Sequence, residues 1–331
     1  MVNTIFIDII NPDIGVVSTS AQAVAGRFAI KVAPLGICAM RPQAVRDHNG
    51  ELEQYGFRRG VSYDLMQLNP NETSSGQTFL INPVIAPGST GAAPTIDAAM
   101  AAPFVCTGTM AMARVTGGQV AVQSPFPLGD LFNHLNSRFD SYPDTCNELT
   151  APPDINIKEY KPNSTDIPWM TKAPAGQAAA RLQADGKLWT IVGPDKTPTD
   201  ATAESYGPLW AYARAAKYAA PEPSSGYASF GTSDWGTLYN PGKPAAKSYP
   251  SSTPYGATSG NTFLEPVNKG LKDRRVLNVP LLDCPVSGSH ATVLGIGRFF
   301  MTVKADATSV HGEFAGLAAE QTLGTEVKLF Q

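Results

Sequence analysis

The sequence predicts an α+β, β-rich fold with a central, largely antiparallel sheet, a few helices, and long loops rich in Pro, Gly and Ser. Three runs near the C-terminus, 274–284, 291–303 and 310–316, carry apolar residues on both parities, with frequent β-branched and aromatic residues. This pattern is typical of strands that are buried on both faces. The chain also contains 30 glycines and 28 prolines, which is typical of a loop-rich β protein. We therefore place the central sheet in these C-terminal runs.

The N-terminal part of the chain predicts further strands. Residues 2–10, 16–25 and 29–40 are rich in β-branched and small apolar residues and are separated by turn signals. Residues 78–85 predict a short strand that leads into a loop, and residues 103–122 predict two more strands. These segments would extend the C-terminal sheet.

Two helices are predicted in the middle of the chain. The first spans 128–139, where five apolar residues recur at helical spacing on one face: Leu128, Leu131, Phe132, Leu135 and Phe139. The second is predicted from Gly207 to about Ala219, because Pro208 suits the first position of a helix.

Two long tracts lack a regular pattern. Residues 141–175 contain six prolines and one cysteine, and residues 224–262 are rich in Tyr, Ser, Gly and Pro. We expect one exported domain over 1–331, within which residues at about 141–262 could form an irregular subdomain. The second tract either makes surface contacts or packs over the sheet, since Tyr and Trp offer rigid amphipathic contact area. Its candidate contact residues are Tyr227, Trp235, Tyr239, Tyr249 and Tyr255.

The charge composition limits the classes of partner. The net charge is -3 and only 16% of residues are charged, so no basic stripe is available for nucleic acid. There is no apolar segment of membrane-spanning length, and the first ten residues lack the positive region of a signal peptide. The low charge and many Ser, Thr and Gly residues favour an exported protein.

Four cysteines are widely separated: Cys38, Cys106, Cys146 and Cys284. They have no C-x-x-C pair and no histidine at zinc spacing, so they do not indicate a zinc site. Two disulfides can form in three ways, and buried free thiols are an alternative. We favour pairing Cys38 with Cys106 and Cys146 with Cys284, which would tie the tract 141–175 to the C-terminal sheet.

The sequence carries no recognisable catalytic motif, and we expect no enzyme activity, cofactor or metal. A serine hydrolase with Ser233 or Ser289 is a remote alternative, because neither serine lies in a G-x-S-x-G elbow. Arg58 and Arg59 stand between glycines and could bind an anion, although such arginines more often pin a loop.

Several segments resemble the exported portion of TadG-related proteins, which belong to bacterial tight-adherence (Flp-type) pilus assembly systems. They are Val17–Gly26, Val32–Ala39, Tyr55–Tyr63, Phe104–Met112, Leu135–Asp140, Tyr206–Ala213 and Arg274–Leu281. The resemblance implies a non-enzymatic envelope protein at the periplasm or cell surface, with other Tad assembly proteins or minor pilins as partners. Oligomers are compatible with that role.

Members of this family usually start with a pilin-like membrane helix, which this sequence does not contain, so membrane attachment would come only through an upstream helix. Some members carry a metal-dependent adhesion motif, D-x-S-x-S, which is not found here. The alternative function is an adhesin-like module that contacts carbohydrate or a host surface through residues 224–262.

Overall fold

The computed structural model describes residues 29–68, 77–89, 94–143, 145–162, 215–231 and 253–324. It also describes short stretches at 70, 91, 164–165, 191–192, 198–199, 205 and 207. The strands predicted at 2–10 and 16–25 lie outside the described residues.

The chain is β-rich with few helices. Its strands are β1 (Leu35–Cys38), β2 (Arg46–His48), β3 (Glu51–Gln54), β4 (Phe57–Arg58), β5 (Ser62–Asp64), β6 (Thr78–Ile81), β7 (Gln119–Gln123), β8 (Ile191–Val192), β9 (Pro198–Thr199), β10 (Val276–Leu282), β11 (His290–Met301) and β12 (His311–Leu317). The α-helices are α1 (Ala98–Thr107) and α2 (Leu128–Leu135). Short 3-10 turns span Leu65–Gln67, Asn136–Phe139, Pro254–Gly256 and Glu320–Thr322.

The main sheet has seven strands in the order β10-β1-β6-β7-β11-β12-β5, and β10 also pairs with β11. This additional pairing closes β1, β6, β7, β10 and β11 into a ring, which we call the closed ring. Strand β11 makes the closure possible because its start pairs with β7, its end pairs with β12, and β10 follows its other edge. Only β1 and β10 are parallel among these pairs, so the prediction of a largely antiparallel sheet is confirmed.

Both faces of the ring strands are covered, which explains why their apolar residues occupy both parities. One face contributes Phe79, Val122 and Val293 to an apolar cluster. The opposite face contributes Leu80 and Leu281 to a larger cluster that also buries the helices. The C-terminal runs therefore form the centre of the sheet, as predicted.

Helix α2 and the 3-10 turn after it confirm the helix predicted at 128–139. Leu128, Leu131 and Leu135 are buried on its inner face, and Phe139 is buried in the turn. The periodic pattern identified this element because a surface helix must place one apolar stripe against the core.

The prediction of strands at 103–122 is wrong at 103–107, where the chain forms the end of α1. Asp97 accepts a hydrogen bond from the backbone N–H of Met100 at 2.8 Å and so caps the helix. The alanine-rich start of α1 has high helix propensity, and Pro103 is accommodated inside the helix. Strand β7 then accounts for the end of the predicted range.

The helix predicted to reach Ala219 is also wrong over the part that the structure describes. Ala216 bridges to Ser229, and Lys217 bridges to Glu51. The backbone N–H of Leu52 donates to the carbonyl of Ala216 at 2.8 Å. Tertiary backbone pairing thus overrides the helix propensity of the alanines. The earlier part of that predicted helix, 208–214, lies outside the described residues.

The four cysteines form two disulfides, but the favoured pairing is wrong. The bonds are Cys38–Cys284 and Cys106–Cys146. The parallel register of β1 with β10 puts Cys38 opposite Leu282, which brings the ends of both strands, and therefore Cys284, together. Cys106 lies on α1, which packs beside α2, and Cys146 lies at 8% exposure in the loop that follows α2. The tract 141–175 is therefore linked to α1 and not to the C-terminal sheet.

Candidate functional site

A cavity of about 500 Å³ lies between the C-terminal end of α1 and the β10–β11 hairpin. We call it the basic cavity because five of its lining residues are cationic: Lys31, Arg138, Lys272, Arg274 and Arg298. Asp273 is the acidic residue in this lining, so the formal charge around the cavity is +4, whereas the whole chain carries -3. Positive charge is therefore concentrated here against the overall balance of the protein.

Arg138 is buried beside the cavity at 1% exposure, on the 3-10 turn that follows α2. Its Nη1 donates to the carbonyls of Val105 and Leu135 at 3.1 and 3.2 Å, while its buried Nε has no partner. Burial, with a further effect of the neighbouring Arg274, lowers the pKa of Arg138 well below its usual value. Leaving a buried donor unpaired costs about 1–3 kcal/mol of folding free energy. The stability of the fold therefore does not explain why an arginine occupies position 138.

Gly108 gives the Arg138 guanidinium its space. It caps α1 in the left-handed region, with φ of 70°, and its N–H donates to the carbonyl of Phe104. A Cβ at this position would lie 2.5 Å from Arg138 Nη2. Any other residue would therefore meet both backbone strain and a direct clash.

Arg274 has a structural explanation. Its guanidinium donates to the carbonyls of Pro152, Thr107 and Cys106 at 2.8, 2.7 and 3.0 Å. Two of these acceptors belong to the last turn of α1, where the carbonyl groups have no partner within the helix. Arg274 thus caps α1 and joins it to the loop at Pro152.

The other cations lie on the remaining walls. Arg298 is opposite Asn278 in the β10–β11 pair and donates from Nη2 to the carbonyl of Ala315 at 2.9 Å. Its Nε is buried without a partner, and burial lowers the pKa of this guanidinium, an effect that Asp273 partly opposes. Lys31 and Lys272 are exposed. The site therefore combines the buried guanidinium group of Arg138 and the partly buried ones of Arg274 and Arg298 with exposed ammonium groups.

A second candidate site is an exposed apolar surface beside the cavity. It lies on two segments without strands or α-helices, residues 153–160 and 255–275, which we call the irregular segments. Its members, which we call the apolar surface, are Ile155, Leu264, Val267 and Leu271, with exposures of 40%, 51%, 96% and 55%. The segments are joined by backbone hydrogen bonds from Ile157 to Leu264 and from Leu271 to Pro153, at 2.9 and 2.8 Å. Leu271 also lines the basic cavity, so the two sites adjoin.

Beneath this surface lies a network that we call the polar clamp, formed by Asp154, Asn156, Tyr160, Tyr255 and Arg275. Arg275 is fully buried and donates to four backbone carbonyls, those of Met301, Asn156, Lys158 and Thr302, at 2.8–3.0 Å. Its guanidinium also lies over the rings of Phe139 and Phe300, 4.4 and 4.6 Å from their centroids. Burial lowers the pKa of Arg275 to about 10, and Asp154 opposes this shift.

Asp154 and Asn156 complete the clamp. The hydroxyl of Tyr255 donates to Asp154 at 2.8 Å, and the backbone N–H of Arg275 donates to the same carboxylate at 3.0 Å. Asn156 Nδ2 donates to the carbonyls of Tyr255 and Thr262 at 3.2 and 3.1 Å. Burial raises the pKa of Asp154, although these hydrogen bonds favour its charged form. The irregular segments are thereby fixed to the end of the sheet.

The structure changes the interpretation of the tyrosine-rich tract. Tyr255 is 4% exposed and packs edge-on against Phe300, 4.8 Å between ring centroids, so it is a core residue and cannot make surface contacts. Tyr227 is half-buried, and burial, with Glu222 nearby, raises the pKa of its hydroxyl. Trp235, Tyr239 and Tyr249 lie outside the described residues.

The other residues considered from sequence do not come together as a catalytic site. Ser289 Oγ lies 3.2 Å from His290 Nδ1, and no carboxylate in the described part of the chain bonds to this histidine. Ser233 lies outside the described residues. Arg58, which suggested an anion site, forms a buried ion pair with Glu51, in which Nε donates at 2.8 Å. Within the described ranges, no three side chains of His, Cys, Asp or Glu group as metal ligands.

Sequence reasoning missed the basic cavity because its cations come from four separate parts of the chain. The run Lys272-Asp-Arg-Arg275 was the only local signal, and one of its arginines belongs to the polar clamp. The apolar surface was missed because its residues are dispersed in Pro-rich segments without periodicity.

The fold and these sites define a β-rich protein with two disulfides, which indicate an oxidising environment outside the cytosol. Across the described residues, no helix has the length and apolar character needed to cross a bilayer. No protein-family model, curated protein or solved structure matches this chain.

Proposed function

We propose that this chain is a non-enzymatic protein of the cell envelope that acts in pilus assembly or anchoring by contacting other proteins. The apolar surface is the observation that carries the proposal. Val267 is 96% exposed and lies on the same two hydrogen-bonded segments as Ile155, Leu264 and Leu271, which are 40%, 51% and 55% exposed. Contiguous exposed apolar patches of this kind typically mark interaction sites.

Hydrogen bonds to the backbone of the apolar surface support this function because they hold that surface in one conformation. The backbone N–H groups of Val267 and Asn268 both donate to the Asp140 carboxylate, at 2.6 and 3.1 Å. Leu271 is held through its N–H by the Pro153 carbonyl. A surface that is ordered before binding loses less conformational entropy when a partner docks, so more of the contact energy appears as affinity.

The compartment and the resemblance to TadG-related proteins point to the partners. Both disulfides are compatible with the periplasm or cell surface, where pilus components assemble. The partners proposed are therefore other Tad assembly proteins, the minor pilins in particular. Their contact face would be apolar, to match Leu264, Val267 and Leu271.

The test is co-purification from cell envelopes that contain the Tad system. We compare the unmodified chain with the double variant Leu264→Asp/Val267→Asp, which places two charges on the apolar surface. Val84→Asp is the matched control, because Val84 is 45% exposed but lies outside this surface. We expect the unmodified chain and the control to capture minor pilins or secretin components, and the double variant to capture at least about tenfold less.

Two results would contradict the proposal. Either no Tad component is captured by the unmodified chain, or the double variant captures as much as the control. If the tyrosine-rich tract makes the contact instead, as in the adhesin alternative, capture is unchanged in the double variant while surface attachment depends on residues 224–262.

A further inference from the structure

We propose that the basic cavity is a binding site for a multivalent oxyanion, carried either by phosphate or by clustered carboxylate groups. This site is distinct from the protein contact proposed above and does not depend on it. Guanidinium groups bind both kinds of oxyanion through paired N–H donors, so the shared chemistry is an oxygen-rich group with at least two negative charges.

The strongest support is Arg138, which is buried and offers donors that the protein does not use. Its Nε has no partner, and its two hydrogen bonds both leave from Nη1. No carboxylate within the described residues pairs with it. Arg58 provides the contrast inside the same molecule, because that buried guanidinium is neutralised by Glu51. Buried charges in proteins are normally paired, so the unpaired guanidinium of Arg138 favours an anion as the ligand of this cavity.

Arg298 also lines the cavity and adds a second unpaired donor. Its Nε is buried without a partner, while its Nη2 donates to the carbonyl of Ala315. Arg274 lines the cavity as well, but its guanidinium donates to the carbonyls of Pro152, Thr107 and Cys106. Two guanidinium groups that line the cavity thus each have a buried Nε–H group without a partner.

The size and charge of the cavity set the class of ligand. About 500 Å³ lies within the range of small-molecule sites, which is roughly 300–1,000 Å³. A formal charge of +4 is more than one monovalent anion would neutralise, which favours a ligand with several negative charges. Lys31 and Lys272 are exposed at the site and would attract an anion from solution.

The experiment titrates the full chain with pyrophosphate in one arm and citrate in the other, at constant ionic strength maintained with sodium chloride. Binding is followed by calorimetry and by the rise in Tm. A ligand that binds the folded state alone raises Tm in a saturable manner. We expect such a rise in at least one arm, and the arm that responds identifies the oxyanion as phosphate or carboxylate. The absence of saturable binding in both arms overturns the proposal.

The variants localise the binding. Lys31→Gln/Lys272→Gln removes two exposed charges and should leave the fold intact while raising the Kd at least about tenfold. Lys304→Gln is the matched control, because Lys304 is exposed and does not line the basic cavity. Equal weakening in the control and the double variant indicates general charge attraction and overturns the assignment.

Arg138→Lys tests the buried donor. It keeps the positive charge but removes the guanidinium fork, and we expect the Kd to rise at least about tenfold with the Lys31 and Lys272 charges still present. If this variant does not fold, the lysine double variant and its control decide the question. A folded Arg138→Lys protein with unchanged affinity overturns the role of Arg138 and, with it, the site.

Discussion

In the closed ring, strands are held by backbone ladders and by apolar side chains on both faces, whereas the polar clamp holds segments that have no ladder at all. Residues 153–160 and 255–275 follow irregular paths, so their carbonyl groups find few backbone donors. Arg275 supplies those donors from its side chain, at the carbonyls of Asn156 and Lys158. Buried backbone groups must be paired in either region, and only the source of the partner differs.

The two regions therefore differ in what they contribute to stability and to the candidate sites. In the ring, many apolar residues share the core, so each single side-chain contact is one of many. The clamp depends on a few polar side chains, yet it carries the apolar surface and lies beside the basic cavity. We therefore expect substitutions in the two regions to change the free energy of unfolding by different amounts.

The largest effect is expected from removing the disulfide that joins the ends of β1 and β10. The double variant Cys38→Ala/Cys284→Ala opens a link across 246 residues, and loop-closure entropy gives a loss of about 5 kcal/mol. Chemical denaturation under oxidising conditions measures the change. Alanine is chosen because Cys38 is fully buried in an apolar cluster and alanine adds no polar group there. A loss below about 1 kcal/mol would show that the ring constrains these ends without the bond.

The second prediction concerns the disulfide that precedes the irregular segments in the chain. Cys106→Ala/Cys146→Ala opens a link across 40 residues, with an expected loss of about 4 kcal/mol. Limited proteolysis separates the two bonds, because this variant should be cleaved within 141–151 and the Cys38 and Cys284 variant should not. Cleavage of both variants at the same site and rate would contradict the assignment of Cys106–Cys146 to this loop.

The third prediction breaks the clamp. Arg275→Met removes four donors to buried carbonyls and should cost at least about 3 kcal/mol, because those acceptors are left unpaired. Denaturant titration measures the loss. Arg275→Lys should not restore stability, since one ammonium group cannot reach the same four acceptors.

The control for the clamp is Arg114→Met, because Arg114 is exposed and its loss should change stability by less than about 0.5 kcal/mol. If Arg275→Met and Arg114→Met have similar effects, the clamp is not what holds the irregular segments.

These two regions also differ in how far the sequence predicts them. The strands β10, β11 and β12 and the helix α2 follow from apolar periodicity, because a buried face requires a repeating pattern. The closure of the ring does not follow from this periodicity, since the pairing of β1 with β10 joins segments more than 200 residues apart. The Cys38–Cys284 disulfide depends on that same closure, which is why the sequence does not predict this pairing.

The candidate sites were less predictable than the fold. Arg138, Arg274 and Arg298 gain their roles only after α1, α2 and the β10–β11 hairpin have packed. A lone arginine in sequence gives no sign of whether it will be buried, capping or exposed. Tyr255 shows the same limit, because a polar aromatic in a Ser- and Gly-rich tract resembles a surface residue until its hydroxyl is matched to Asp154.

The smallest effect on stability is expected at Asp306, an exposed carboxylate. It tests whether the polar clamp stabilises the protein because its hydrogen bonds are buried, and not only because its side chains are polar. Asp306 lies in the turn between β11 and β12 and accepts hydrogen bonds from Thr308 and Ser309 through both backbone and hydroxyl groups, at 2.8–2.9 Å. These bonds lower the pKa of Asp306 to about 2 from an ordinary value of 3.8. Its contribution to stability is therefore complete above about pH 4 and is lost as the pH falls towards 2.

Asp306 is exposed, so solvent screens it and Asp306→Ala should cost less than about 1 kcal/mol at pH 7. The cost should shrink as the pH falls towards 2, where about half of the wild-type carboxylate is protonated, and Asp306→Asn serves as a control of similar shape that does not titrate. Denaturation curves at both pH values measure this. If Asp306→Ala costs as much stability at pH 7 as Arg275→Met, the exposed hydrogen bonds of this turn stabilise the protein as much as the buried ones of the clamp. The contrast between ring and clamp would then not rest on burial.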